Sequence, residues 1–174
     1  GKYHVSGHRL CNFSCSFEET KKLKEICPKC GKPLTIGVEK RIEELADRPE
    51  GFQRKNAIPF RTVLPLAELI AAVHRTGLYS KKVQEEYAKL IAKFGNEFHV
   101  VFDVSEAEIK EVSGLEVARV VMMNRENSIK IKPGFDGEYG VLQLPEQLIL
   151  GKKREKRNGV SDAESKAQKS LGEF

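Results

Sequence analysis

An α+β fold is expected from three features of the 174-residue sequence. All four cysteines fall between Cys11 and Cys30, and two of them flank a Pro-Lys pair. From Pro65 to Asn124, apolar residues recur at helical spacing between Ser, Pro and Gly boundary residues. Ser128 to Lys132 then alternates Ile with polar residues, and Val141-Leu142-Gln143-Leu144 follows two turn signals, which is the pattern of a β-hairpin. These features divide the chain into a module at 1–48, a linker at 49–61, a mainly helical region with a C-terminal hairpin at 62–149, and a tail at 150–174.

The first segment reads as short extended pieces and two turns with little apolar content. Cys27-Pro28-Lys29-Cys30-Gly31 places two thiols two residues apart on a tight turn, as one half of a zinc ribbon does. Two sets complete the other half. His8 and Cys11 give His-x2-Cys-x15-Cys-x2-Cys, which falls inside the spacing of paired zinc knuckles with one Cys replaced by His. Cys11 and Cys15, three residues apart, give a four-Cys set. Zn²⁺ accepts Cys₃His and Cys₄ tetrahedra alike. The favoured ligands are His8, Cys11, Cys27 and Cys30, with Cys15 as the alternate. Either set closes the coordination sphere, so the zinc is expected to be structural rather than catalytic. Disulfides are disfavoured, since no secretory signal is evident and a cytoplasmic setting is expected. A module this poor in apolar residues should fold only with its metal.

The remaining elements follow in order. Val38, Ile42, Leu45 and Ala46 mark one face of a short helix ended by Pro49. Asp47 to Arg61 mixes Pro, Gly, Arg and Lys with scattered aromatics, a linker composition. Pro65 opens a helix whose buried stripe is Leu66, Leu69, Ile70 and Val73, with Gly77 closing it. Ser80 caps a longer helix carrying Val83, Tyr87, Leu90, Ile91 and Phe94, and Gly95 stops it. Val100 to Val104 reads as a short strand or a packed link. Ser105 to Glu108 is a capping box that starts a helix with Ile109 and Val112. Gly114 breaks it, and Leu115 to Asn124 resumes as an apolar helix. Residues 151–167 are charged and apolar-poor, with no reason to fold.

Helix, Gly-containing turn, helix thus occurs twice, in a helix-hairpin-helix-like arrangement. Such turns point free amides of a helix N-terminus outward, where a phosphate can accept them. Gly77, Ser80, Lys81 and Lys82 at the first turn and Gly114 at the second are therefore the candidate DNA-backbone contacts, gripping without reading bases. The pattern usually carries a second Gly where Tyr79 stands. A net charge of +5 suits a nucleic-acid partner without requiring one.

The chain ends in Gln168-Lys169-Ser170-Leu171-Gly172-Glu173-Phe174, that is, Q-x-x-L-x-x-F. This resembles the peptide with which replication and repair proteins dock on the sliding clamp. Leu171 and Phe174 would emerge from one side of a helical turn into an apolar pocket, with Gln168 hydrogen-bonded beside them. The usual pattern ends in two aromatics, and here there is one.

From residue 1 to about residue 149, a series of motifs resembles the C-terminal portion of the endonuclease Q family. They are Gly1-Lys2-Tyr3-His4, the Cys27–Gly31 knuckle, Gly37-Val38 with Arg41 to Ala46, Pro65 to Ile70, Phe94-Gly95-Asn96-Glu97 and Pro133 to Gly140. The resemblance places His8 and Cys11 on ligand positions and Cys15 on a non-ligand one. It implies a DNA-repair activity, found in archaeal and some bacterial proteins, that nicks 5′ to deaminated bases such as uracil or hypoxanthine and at abasic sites. In that family an N-terminal PHP-type, metal-dependent nuclease domain performs the cleavage. Its metal ligands are not found in this sequence, so a PHP partner in cis or in trans is implied.

No catalytic residues are assigned. His74 and His99 lack a partnering carboxylate or Cys motif in sequence and read as structural or surface residues. No Walker loop argues for ATPase work, and no apolar run approaches the ~18 residues that span a bilayer, so no membrane partner is expected. Two other readings are a free-standing zinc-ribbon protein that binds RNA or the ribosome, and a small metal-dependent enzyme. The second would need an open metal position and converging acid–base groups, which the sequence does not offer.

Overall fold

A computed structural model describes residues 1–49 and 51–150. Gln168, Leu171 and Phe174 lie outside the described residues. The architecture is α+β and mostly helical, with two small two-stranded sheets.

At the N-terminal end, β1 (Ser6–His8) pairs antiparallel with β2 (Phe13–Cys15), joined by a 3₁₀ turn over Arg9–Cys11. Helix α1 (Phe17–Lys22) follows at once. It replaces the extended course expected there, and its cause is local. Ser16 accepts the amide of Glu19, while the Glu19 carboxylate accepts the amide of Ser16, a complete capping box. The Cys27–Gly31 turn is held by the amides of Gly31 and Cys27 donating to the carbonyls of Cys27 and Lys32. Thr35 then pairs with Gly7 on the free side of β1. Helix α2 (Val38–Leu45) starts against the N-terminal segment, its first amides donating to the carbonyls of Tyr3 and His4. The apolar face expected from its sequence is present, but Val38, Ile42 and Leu45 are all exposed. Residues 51–65 hold no helix or strand.

The helical body comprises α3 (Leu66–His74), α4 (Lys81–Phe94), α5 (Glu97–Phe102), α6 (Glu106–Ser113) and α7 (Leu115–Arg125). Helices α3 with α4, and α6 with α7, form two adjacent pairs that also pack on each other through α3 with α7 and α4 with α6. Their shared core contains Leu66, Leu69, Ile70, Val73, Val83, Leu90, Ile109, Val117, Val120 and Val121, all fully buried. Burying side chains of this size contributes roughly 1.5–3 kcal/mol each before chain entropy is charged against it.

Three boundaries differ from expectation. Helix α3 ends before Gly77: Arg75 adopts the left-handed cap at φ 47°. Pro65 sits at the cap position rather than within the first turn, with the Glu97 carboxylate accepting the Leu66 amide at 2.7 Å. Residues 100–104 are not a strand. Asn96 caps α5 by accepting the His99 amide, and Arg125 closes its other end by donating to the carbonyls of Val100, Val101 and Val104.

The hairpin forms as expected, β3 (Lys130–Lys132) against β4 (Val141–Gln143) with Ile131 opposite Leu142. Its eight-residue loop, 133–140, reaches away from the helices onto the N-terminal module. His4 and Val5 both donate to the Gly134 carbonyl, and Gly137 donates to Lys2. Phe135 is buried over Gly7, where a Cβ would overlap its ring. Gly134 is equally constrained, since a Cβ there would run into the carbonyl oxygens of Gly1 and Glu138. Asp136 locks the contact: its carboxylate accepts the Arg9 amide and the Thr35 hydroxyl, each at 2.6 Å. No helix among the described residues is long and apolar enough to cross a membrane.

Candidate metal centre and nucleic-acid interface

His8 ends β1, Cys11 lies in the turn that follows, and Cys27 and Cys30 open and close the second turn. The pairing of β1 with β2 and of Gly7 with Thr35 brings the two turns face to face. Their four donor atoms lie within 4.8 Å of one another. His8 Nδ1 is 3.4 Å from Cys30 Sγ. Lys29 ties the turns together by donating to the Cys11 carbonyl at 2.9 Å. Tetrahedral Zn²⁺ with Zn–S of about 2.3 Å and Zn–N of about 2.0–2.1 Å needs donors some 3.5–3.8 Å apart. Three soft thiols and an imidazole at this spacing fit a zinc ion and could hold one. All four positions would be filled by protein, so the ion would fix the two turns and offer no site for water.

The electrostatics of the thiols agree with a shared site. Burial raises the Cys27 thiol, but hydrogen bonds from the amides of Lys29 and Cys30 and from neighbouring thiols outweigh it and bring it down to about 7. Cys11 moves the other way: its hydrogen bond to Cys30, partial desolvation and the charge on Cys27 push it up to about 11. The Cys27 thiolate is thus favoured over that of Cys11, and a bound cation would favour the ionised form of both. Cys15 is not in this group. It is buried among Cys27 and Leu34, with its Sγ 3.3 Å from the Thr20 hydroxyl.

The helix-turn residues fall into two sets. Ser80 caps α4 by accepting the Val83 amide. Lys81 is exposed and pairs with Glu85 at 3.6 Å, while Gly77 borders open space. Gly114, at φ 86°, both ends α6 and begins α7, so this second turn is a single residue rather than a loop. Lys82 and Ser113 meet in one surface hollow, lined also by His74, Glu85, Glu86 and Lys89. Of the five candidate DNA contacts, Lys82 lines this hollow, and Gly77, Ser80, Lys81 and Gly114 do not.

No partnering motif was expected for His74 or His99, and the structure sets a carboxylate beside each. His74 Nε2 lies 2.6 Å from Glu86 in the interior of that hollow, and His99 Nδ1 lies 3.2 Å from Asp103 on the surface. His99 and Asp103 stand four apart on one turn, a spacing visible in the sequence; the His74–Glu86 pair needs two helices to meet.

Comparison with known proteins gives these features a context. Residues 65–128, from the start of α3 to just beyond α7, match the family described as the MJ0043 C-terminal domain. The protein MJ0043 of Methanocaldococcus jannaschii is 34% identical over 151 residues, which are 86% of this chain and 19% of that protein. The lesion-specific endonuclease PfuEndoQ of Pyrococcus furiosus superposes with a TM-score of 0.72 at 35% identity, over 87% of this chain and 37% of that one. The chain is similar to a part of endonuclease Q. An endonuclease Q complexed with a 27-mer duplex substrate carrying an abasic lesion matches equally, with a TM-score of 0.72 at 34% identity over 88% of this chain and 38% of that one. The endonuclease Q likeness runs through both the knuckle module and the helical body, and so relates the chain to a DNA-repair endonuclease. The chain spans about a fifth of the curated relative and under two fifths of the solved ones.

Proposed function

We propose that this chain is the DNA-binding, lesion-engaging part of a DNA-repair endonuclease that nicks 5′ to deaminated bases or at abasic sites. The observation that carries the reading is its match, over 88% of its length, to an endonuclease Q bound to a duplex with an abasic lesion. Strand cleavage belongs to a PHP-type nuclease domain that these residues do not supply, in the same polypeptide or in a partner. A zinc ion on His8, Cys11, Cys27 and Cys30 holds the two turns together, and with them the surface on which the 133–140 loop is seated. Gly77, Ser80, Lys81, Lys82 and Gly114 hold the DNA backbone, with Lys81 and Lys82 supplying charge beside the first turn.

Fluorescence anisotropy on a 27-mer duplex with and without an abasic site, the length used in the related complex, tests the proposal. Binding is expected to weaken steeply with salt, because phosphate contacts release counterions. Lys81→Glu combined with Lys82→Glu should cost about 10-fold in affinity and flatten the salt dependence by about two phosphate contacts. Salt-independent binding, or none at low salt, would overturn it.

The C-terminal peptide is a second contact of the same protein, with the sliding clamp. Leu171 and Phe174 each stand to gain about 1.5–3 kcal/mol on burial, offset by the ordering of the peptide. Calorimetry of the last fifteen residues against a clamp should give micromolar affinity, lost in a Leu171→Ala, Phe174→Ala peptide. Equal heats from both peptides would remove the clamp from this account.

A further inference from the structure

Helix α5 carries an aromatic pair that the backbone contacts do not use, with Phe98 exposed and Phe102 half-buried. Phe98 and Phe102, one turn apart, stack with ring centroids 6.1 Å apart and planes 7° from parallel. The Arg61 guanidinium lies over the Phe102 ring at 5.7 Å. Phe98 is 71% exposed, and Phe60, beside Arg61 in the chain, is 87% exposed. Leaving such rings in water forfeits the burial that holds the rest of the helix in place, where Val100 and Val101 are buried. The segment that brings Arg61 here also contains Phe60, Arg54 and Lys55 and no acidic residue from Gly51 to Arg61. The carboxylates that flank the pair in the chain are both engaged, Glu97 by the Leu66 amide and the Tyr87 hydroxyl and Asp103 by His99.

We propose that Phe98, Phe102 and Arg61, with Phe60 beside them, form a stacking platform for an unpaired nucleobase of lesion-containing or locally opened DNA. This rests on the DNA-binding reading above and adds a base-contacting site to it. Every base presents a π-face, so flat rings with an arginine accept any base without hydrogen-bond readout. Paired bases are stacked on their neighbours and closed to such a platform, whereas a base displaced at a lesion is not. The basic run 54–61 supplies the complementary charge for the phosphates on either side. A protein surface could also cover exposed rings, but it would give no preference for unpaired bases.

The test uses the whole chain and two duplexes, one fully paired and one with a single unpaired 2-aminopurine. The intact chain is expected to bind the second more tightly and to quench its fluorescence by stacking. Phe98→Ala should lower affinity for that duplex about 10-fold and abolish the quenching, while binding of the paired duplex stays within about twofold. Phe98→Tyr should restore both, and Phe60→Ala should weaken the same preference. Because Phe98 and Phe60 are exposed, these variants keep the fold, which circular dichroism checks. If Phe98→Ala binds and quenches as the intact chain does, the platform is wrong while DNA binding stands. If the intact chain binds neither duplex, the DNA-binding reading falls and takes the platform with it.

Discussion

His8 shows how much one side chain decides. It belongs to the same strand as Ser6 and Gly7, and only its place at the strand end turns its ring to Cys30. Replacing it with Ala removes one donor of the four-membered cluster, whereas replacing Cys15 removes a packing contact and a hydrogen bond to Thr20. His8→Ala is expected to weaken zinc binding by several orders of magnitude, given the roughly 10–16 kcal/mol of a full structural site shared by four ligands. Cys15→Ala should leave one zinc per chain. Competition with a chromophoric chelator measures both, and the reverse order would reassign the fourth ligand to Cys15. Arg125 plays a comparable part in the helical body, its half-buried guanidinium satisfying three carbonyls at the end of α5 that no amide reaches.

At the scale of elements, caps decide where helices begin. Helices α1 and α6 each carry a reciprocal Ser–Glu capping box, and α4 and α5 use Ser80 and Asn96. The bond from the Ser105 hydroxyl, followed by its amide, holds the Glu108 carboxyl below its ordinary value of 4.5. A carboxyl depressed on folding stabilises the native state at pH above its unfolded value and ceases to do so as pH falls through its folded one. Glu108→Gln should therefore lower the melting temperature near neutral pH. The gap between variant and native chain should close as pH falls through the lowered titration range of Glu108. Thermal melts across this range check it; a gap that stays constant into acid would show that charge plays no part in the cap.

At the scale of the molecule, the 133–140 loop joins the knuckle module to the helical body, because the strands that carry it, β3 and β4, follow α7 directly. Gly134 is the tightest point of that junction, since a Cβ would meet backbone oxygens of Gly1 and Glu138 that cannot swing aside. Gly134→Ala should cost about 2–4 kcal/mol, the range of severe backbone clashes, and the damage should be local. Hydrogen exchange is expected to show faster exchange at Val5, Gly7 and Thr35, with α3 and α7 protected as before. Uniform loss of protection would mean the two parts unfold as one unit.

Much of this protein can be read from residue order alone, wherever the cause is local. Helix positions from Leu66 to Asn124 follow from apolar spacing and caps, and the hairpin follows from alternation around two turn signals. The knuckle spacing narrowed the metal ligands to two sets, because ligands on tight turns are neighbours in sequence. Helices α1 and α5 were not expected, although their caps, Ser16 with Glu19 and Asn96, stand in the sequence, because neither is long enough for its apolar period to stand out. What only the tertiary structure decided depends on residues far apart in the chain. The gathering of His8 and Cys11 with Cys27 and Cys30, and the exclusion of Cys15, come from the pairing of β1 with β2 and with Thr35. Arg61 over Phe102, His74 on Glu86 and Asp136 on Arg9 and Thr35 arise the same way. Each forms because burial of the shared cores fixes distant backbones at hydrogen-bond or stacking distance, and no periodicity in the sequence encodes that distance.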